Sequence, residues 1–171
     1  MIAFINASPL VYLGKLGLLL HLPETYEPIV TCSDVKRELM EDHSAPEHAA
    51  LDIAFSSWLS IKDPEDSVFT SKILALNIHT GEAGVIALAR ESKYENVLII
   101  DDLNARAISR ALGIKVTGTL GIMLEFLKNG LITSEHAKLD LKYLVEKTTF
   151  RISTKLYSRV IEKFEEYHTS T

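Results

Sequence analysis

The chain has 171 residues, of which 47% are hydrophobic and 24% charged, and it carries a net charge of -5. That length and composition describe one globular domain, residues 1–171, able to bury its own core, and they exclude disorder as the default. The acidic balance argues against a broad basic surface for gripping duplex nucleic acid. It leaves room for a small acidic, metal-loaded site.

The lone cysteine, Cys32, rules out an internal disulfide and a multi-cysteine zinc site, and it fits a reducing compartment. It reads as a small buried residue. The N-terminus MIAFINASPL has no basic leader region, and the apolar run Leu16 to Leu20 is too short to cross a bilayer. The expectation is a cytoplasmic protein without membrane contact.

Ile2 to Ile5 predicts a first strand, broken by Asn6, Ala7, Ser8 and Pro9. Ser8 is placed to cap a helix with Pro9 at its first position and Leu10, Leu13, Leu16 and Leu20 among its apolar positions. Asn6 lies just past the strand, where by itself it reads as a turn residue. After Pro23 and Pro28, Ile29 to Cys32 predicts strand two. A helix starting at Ser33 or Asp34 follows through Met40, with Val35 and Leu39 on one face. Glu38 sits beside that face, so its carboxylate needs a partner or a metal unless the position is solvated.

Glu41 to Glu47 forms a polar connector, with Pro46 placed to begin the next helix. Ala50, Ala54, Phe55, Trp58 and Leu59 recur at helical spacing, which predicts Trp58 in the core. Ile61 and Lys62 add a minor strand or lead into the turn at Asp63 and Pro64. Ser67 to Asn77 predicts a helix presenting Ile73, Leu74 and Leu76. The histidines at 43, 48 and 79 follow no metal-binding spacing and read as surface or boundary residues.

The central stretch is Gly81 to Asp102, GEAGVIALARESKYENVLIIDD. Thr80 and Gly81 open a helix through the Ala-rich segment, and Val97 to Ile100 reads as a strand buried on both faces. Asp101 and Asp102 follow at once, where open α/β sheets place their ligands. Glu82 lies near the helix start, and a helix beside the strand would carry it to the same edge. Each acid also has a plain structural reading: Glu82 complementing the macrodipole, Asp102 capping the next helix.

Leu103 to Leu112 predicts a helix ended by Gly113, with Ile114 to Thr117 as the next strand. Arg106 and Arg110 are one turn apart on a single face, able to meet a phosphate backbone or to be solvated. GTLG at Gly118 to Gly121 opens an apolar helix through Leu127, with Thr119 placed to cap it. Ser134 to Lys147 predicts an amphipathic helix, Phe150 to Ser153 a short strand, and Thr154 to about Tyr167 a terminal helix. Strands alternating with helices indicate a layered α/β domain with a mostly parallel sheet.

A receiver domain needs its acidic pair at the end of strand one, and aspartyl-nucleophile phosphatases need DxD there; this chain has NAS. No P-loop is present, and no GxGxxG follows a strand.

NASPLVYLGKLG, GEAGVIALA, LIIDDLNAR and GIKVTGTLG, in this order and spacing, resemble a PIN domain of the subgroup often catalogued as a domain of unknown function. The resemblance covers Ile2 to about Lys163. It implies a three-layer α/β/α sandwich around about five mostly parallel strands, and a metal-dependent ribonuclease. It also implies homodimers, and many relatives are toxins paired with an antitoxin protein. The family's acidic cluster falls on Glu38, Glu82 and Asp102, with Asp101 as neighbour or alternative match, and Asn6 stands where active relatives carry an aspartate.

The chemistry agrees. Carboxylates gathered within a few ångströms raise each other's pKa unless a cation neutralises them. Hard oxygen ligands favour Mg2+ or Mn2+ over zinc. In this reading Glu82 and Asp102 hold the metal, with Asp101 and Asn6 as further ligand candidates, and Glu38 supports the metal or orients water. Ser8, Arg106, Arg110 and Thr119 are candidates for RNA contact. The competing reading is a PIN-like RNA-binding or protein-docking module that no longer cleaves, because Asn6 is neutral.

Overall fold

Five strands, Ile2–Ile5 (β1), Ile29–Thr31 (β2), Leu59–Ile61 (β3), Asn96–Ile99 (β4) and Val116–Thr117 (β5), pair in parallel to form one sheet in the order β3-β2-β1-β4-β5. The central strand β1 reads IAFI and β4 reads NVLI, and in each the last three residues are buried. Near-continuous apolar runs of this kind suit strands covered on both faces. The computed structural model describes residues 1–167.

Helices connect the strands: Ala7–Lys15 (α1), Leu22–Thr25 (α2), Ser33–Met40 (α3), His48–Ser57 (α4), Ser67–Leu74 (α5), Thr80–Glu91 (α6), Leu103–Ala111 (α7), Thr119–Lys128 (α8), Ser134–Lys147 (α9) and Thr154–Glu166 (α10). Five parallel strands with these helices make the three-layer α/β/α fold expected from the sequence. The chain comprises two compact units, Met1–Thr119, which holds the sheet, and the segment from Leu120 on, in which α9 packs on α10.

The helix that organises the first unit is α6. Residues 81 to 89 are all buried, and the helix packs against β1 and β4 and against α3, α5 and α7. A helix buried all round must be apolar on every face, which is why GEAGVIALA has one charge. Its small residues set the packing distance: a Cβ at Gly84 would stand 2.7 Å from Cys32 Sγ. Burying side chains such as Val85, Ile86 and Leu88 contributes roughly 1.5–3 kcal/mol each.

Several local expectations are corrected. Ser8 does not cap α1; Asn6 occupies that position in extended backbone, the single residue between the end of β1 at Ile5 and the start of the helix at Ala7. Pro9 is tolerated in the first turn, where backbone N–H groups have no intrahelical partner. Helix α1 stops at Lys15 because Gly17 takes φ +71, which leaves Leu20 62% exposed in a short 3-10 turn.

Trp58 ends α4 half-buried, while Leu51 and Ala54 are the residues of that helix in the core. Helix α5 ends at Leu74, which is exposed, as is Leu76 in the turn that follows, where Asn77 is left-handed. No strand forms at Phe150 to Ser153. Phe150 is buried, its N–H donates to the Thr148 hydroxyl, and Ser153 instead caps α10 by accepting from Leu156 N.

Candidate active site

Strand order reverses between β1 and β4. From β1 the chain winds outward through β2 to β3, then returns to the other side of β1 for β4 and β5. Such a reversal leaves a crevice outside the carboxyl ends of the two strands. Ile5 is in register with Ile99, and Asn6 N–H donates to Ile99 O at 3.0 Å, so Asn6 and the Asp101–Asp102 pair leave the sheet side by side. Asn6 is 4% exposed, and its amide makes no capping bond to α1.

The first turn of α6 closes over the same edge. Gly81 permits the approach: a Cβ there would lie 2.9 Å from Val35 Cγ2 and 3.6 Å from Asn6 Oδ1. The next residue, Glu82, is therefore brought to the crevice with only 9% exposure, and its Oε2 accepts from His79 N–H at 3.2 Å. Burial pushes the Glu82 pKa up. Asp102 and Glu38 add like-charge repulsion in the same direction, while the His79 N–H bond and His79 itself oppose it. The charges of Asp102 and Glu38 thus bear on Glu82 from two other chain segments, with Glu38 the weaker contributor. Among the described residues none of the three makes an ion pair. Glu38 and Asp102 are exposed.

The two adjacent aspartates have different surroundings. Asp102 caps α7, its Oδ1 accepting from Ala105 N–H at 2.8 Å, and its second oxygen has no partner among the described hydrogen bonds. Asp101 spends both oxygens on Thr119, accepting from the backbone N–H at 2.8 Å and from the hydroxyl at 2.6 Å. Burial raises the Asp101 pKa even though Thr119 and Arg106 pull it down. Thr119 is not a cap for α8; it is the first residue of that helix, and its hydroxyl is committed to Asp101.

Arg106 is half-buried, and its Nη1 donates to Ile100 O at 2.9 Å. Arg110, one turn on, is exposed and close enough to lower the Arg106 pKa after burial has done so. Ser8 is half-buried in the first turn of α1. Cys32 is a buried free thiol whose pKa burial pushes up, and its Sγ–H points at Gly81 O, 3.6 Å away, so it acts as packing under α6.

The donor set at this edge consists of carboxylate and amide oxygens, the chemistry of a hard divalent cation. The raised pKa of Glu82 marks a charge that such a cation would neutralise. As placed, no group of three His, Cys, Asp or Glu among the described residues is gathered closely enough to hold a metal ion. The fit to a cation is therefore one of charge and donor type, with Glu82 fixed by His79 N–H and Asp102 held through one oxygen as the cap of α7.

Three contributors had no individual signal of their own in the sequence. Gly81 and Gly118 act by what they lack, and His79 acts through its backbone N–H. The spacing of glycines in HTGEAG and TGTLG marks them, once the neighbouring acids are known to be functional.

A three-layer α/β/α domain with acids at the switch point of its parallel sheet has a nuclease-like fold. The family model described as a PIN domain matches residues 2–166, and the chain belongs to the PIN domain family. Comparison with curated proteins and with solved structures gives no match.

Proposed function

We propose that the protein is a metal-dependent ribonuclease that hydrolyses RNA phosphodiester bonds with Mg2+ or Mn2+. The observation that carries this reading is the burial of Glu82, without an ion pair among the described residues, at the edge where Asn6 and the Asp101–Asp102 pair leave β1 and β4. A bound divalent cation supplies Lewis-acid polarisation of the phosphoryl oxygen and a more acidic water.

The chain's own residues do the rest. Glu82 is held by His79 N–H and by its burial in α6, so it forms the fixed wall of the site. Asp102 uses one oxygen as a helix cap and offers the other to the crevice. Glu38, on the exposed side of α3, is the base that orients the attacking water. Arg106 and Arg110 line one face of α7, whose N-cap is Asp102, and would take phosphates next to the scissile one. A single-stranded RNA suits this short basic row better than a duplex, which needs a wider basic footprint.

The test is incubation with fluorescent single-stranded RNA and Mn2+. Cleavage by the wild type that Glu82→Gln abolishes supports the reading, and the absence of cleavage by the wild type overturns it.

One observation favours a second reading, an RNA-binding or docking module that does not cleave. Asn6, at the end of the central strand, puts a neutral amide where a carboxylate would bind a cation more strongly. RNA binding by the wild type that is indifferent to Mn2+, with no cleavage, would select this alternative.

A further inference from the structure

We propose that Asp101 is a positioning residue rather than a metal ligand: its carboxylate, locked onto Thr119, fixes the β4–α7 turn so that the neighbouring Asp102 presents its free oxygen to the crevice. This inference rests on the ribonuclease reading, and it divides labour between two adjacent aspartates, of which the sequence leaves Asp101 as neighbour or alternative match to Asp102.

The geometry is that of a closed latch. Asp101 Oδ1 accepts from Thr119 N–H at 2.8 Å and Oδ2 from the Thr119 hydroxyl at 2.6 Å. Each oxygen thus has a donor at short range; Thr119 is fully buried and Asp101 partly so, which strengthens both bonds. Gly118 completes it. A Cβ at that position would lie 2.5 Å from Arg106 Nη1, 2.6 Å from Asp101 Oδ1 and 3.2 Å from Ile100 O, so the space of the missing side chain is filled by the latch itself.

Arg106 reaches across from α7 to hold Ile100 O at 2.9 Å, which ties the last residue before the aspartates to the helix that Asp102 caps. Backbone bonds close the frame, with Leu98 N donating to Lys115 O and Ile100 N to Thr117 O. The exit of β4 is therefore gripped from two sides, by the exit of β5 and by α7. Asp101 points into that grip, while the exposed Asp102 carries one hydrogen bond on Oδ1 and points out of it.

Ligand orientation of this kind is normally set by groups just behind the ligands, and their loss costs about 10–100-fold in metal affinity. Thr119→Val removes the hydroxyl donor without altering any carboxylate, and Thr119→Ser restores it. Asp101→Asn keeps the shape: its amide oxygen still accepts from Thr119 N–H, and its NH2 can donate to the hydroxyl.

The experiment is calorimetric titration of Mn2+ into the wild type and the four variants Thr119→Val, Thr119→Ser, Asp101→Asn and Asp102→Asn, with melting temperature measured in parallel. Thr119→Val should lose about tenfold in Mn2+ affinity, and Thr119→Ser should regain it. Asp101→Asn should keep the wild-type stoichiometry, while Asp102→Asn should give no heat. Thr119→Val that melts lower yet binds Mn2+ as the wild type does would reduce the latch to a stability role. Asp101→Asn that fails like Asp102→Asn would make Asp101 a ligand; both outcomes overturn the inference and leave the ribonuclease reading in place. A wild type that gives no heat would overturn the ribonuclease reading and the latch's role with it.

Discussion

Around the open groove of about 590 Å3 lined by Ile2, Phe4, Val30 and Leu88, two of the rim acids, Asp66 and Glu91, are committed, and the third, Glu65, is exposed to water. Glu91 accepts from Glu65 N and Asp66 N, and Asp66 caps α5 and pairs with Arg90, which in turn stacks on Phe69. At the carboxyl ends of β1 and β4 the balance is reversed. Glu82 is buried with a single hydrogen bond, Asp102 has one oxygen in use, and neither has a cationic partner among the described residues. The groove's charges are either paired or exposed to water, whereas the crevice holds a buried carboxylate with no ion pair among the described residues. Unspent charge is the better marker of chemistry, because a fold retains a raised carboxylate only against a cost in stability.

The largest expected effect comes from Asp102→Asn. Asparagine caps a helix about as well as aspartate, so α7 should keep its cap and the melting temperature should barely move. Loss of groups behind a metal ligand already costs about 10–100-fold, so loss of a ligand's charge should cost at least about 100-fold in Mn2+ affinity and in RNA cleavage. The matching change in the groove, Glu91→Gln, should leave both unchanged. Equal losses from the two would erase the contrast between the regions.

Gly81→Ala comes next. Its Cβ would press on Val35 Cγ2 at 2.9 Å, so the first turn of α6 must move away from α3 and carry Glu82 with it. Overpacking of this kind costs about 1–3 kcal/mol, which urea unfolding would read. Mn2+ affinity should fall with it. A smaller change, confined to stability, is expected in the groove: Asp66→Ala removes the N-cap of α5 and should cost about 1 kcal/mol. Its Mn2+ titration should match that of the wild type; a weaker one would tie the groove to the crevice.

The sheet was legible because strands such as VLII are short apolar runs rich in β-branched residues and bounded by polar residues, and that pattern survives any tertiary context. The family was legible from motifs spread along the chain. Chain-local logic erred where a neighbour decided the outcome. Thr119 looks like a helix cap until Asp101, 18 residues earlier in the chain, takes its hydroxyl. Ser8 looks like a cap until β1 is seen to end directly against α1, and Phe150 reads as a strand residue although no strand forms there. The cap role of Asp102 was legible, but the commitment of Asp101 to Thr119 beside Gly118 was not, because no local pattern connects residues so far apart in the chain.

The subtlest test of the contrast lies in the pH dependence of stability. The folded pKa of Glu82 is raised above its unfolded value, first by burial and then by Asp102 and Glu38. Its contribution to stability is therefore fully present below the unfolded value of about 4.3 and is lost as pH rises through the folded pKa. Glu82→Gln cannot ionise, and its amide oxygen can still accept from His79 N–H. Its melting temperature should equal that of the wild type near pH 4 and exceed it at pH 7.5. Asp101, whose pKa is also raised, is present in both proteins and cancels. Mn2+ should then close the gap at pH 7.5, because a ligand that binds only the folded wild type stabilises it by mass action. A gap that is absent at pH 7.5, or that Mn2+ leaves open, would mean that the crevice charge is already neutralised, and the two regions would no longer differ.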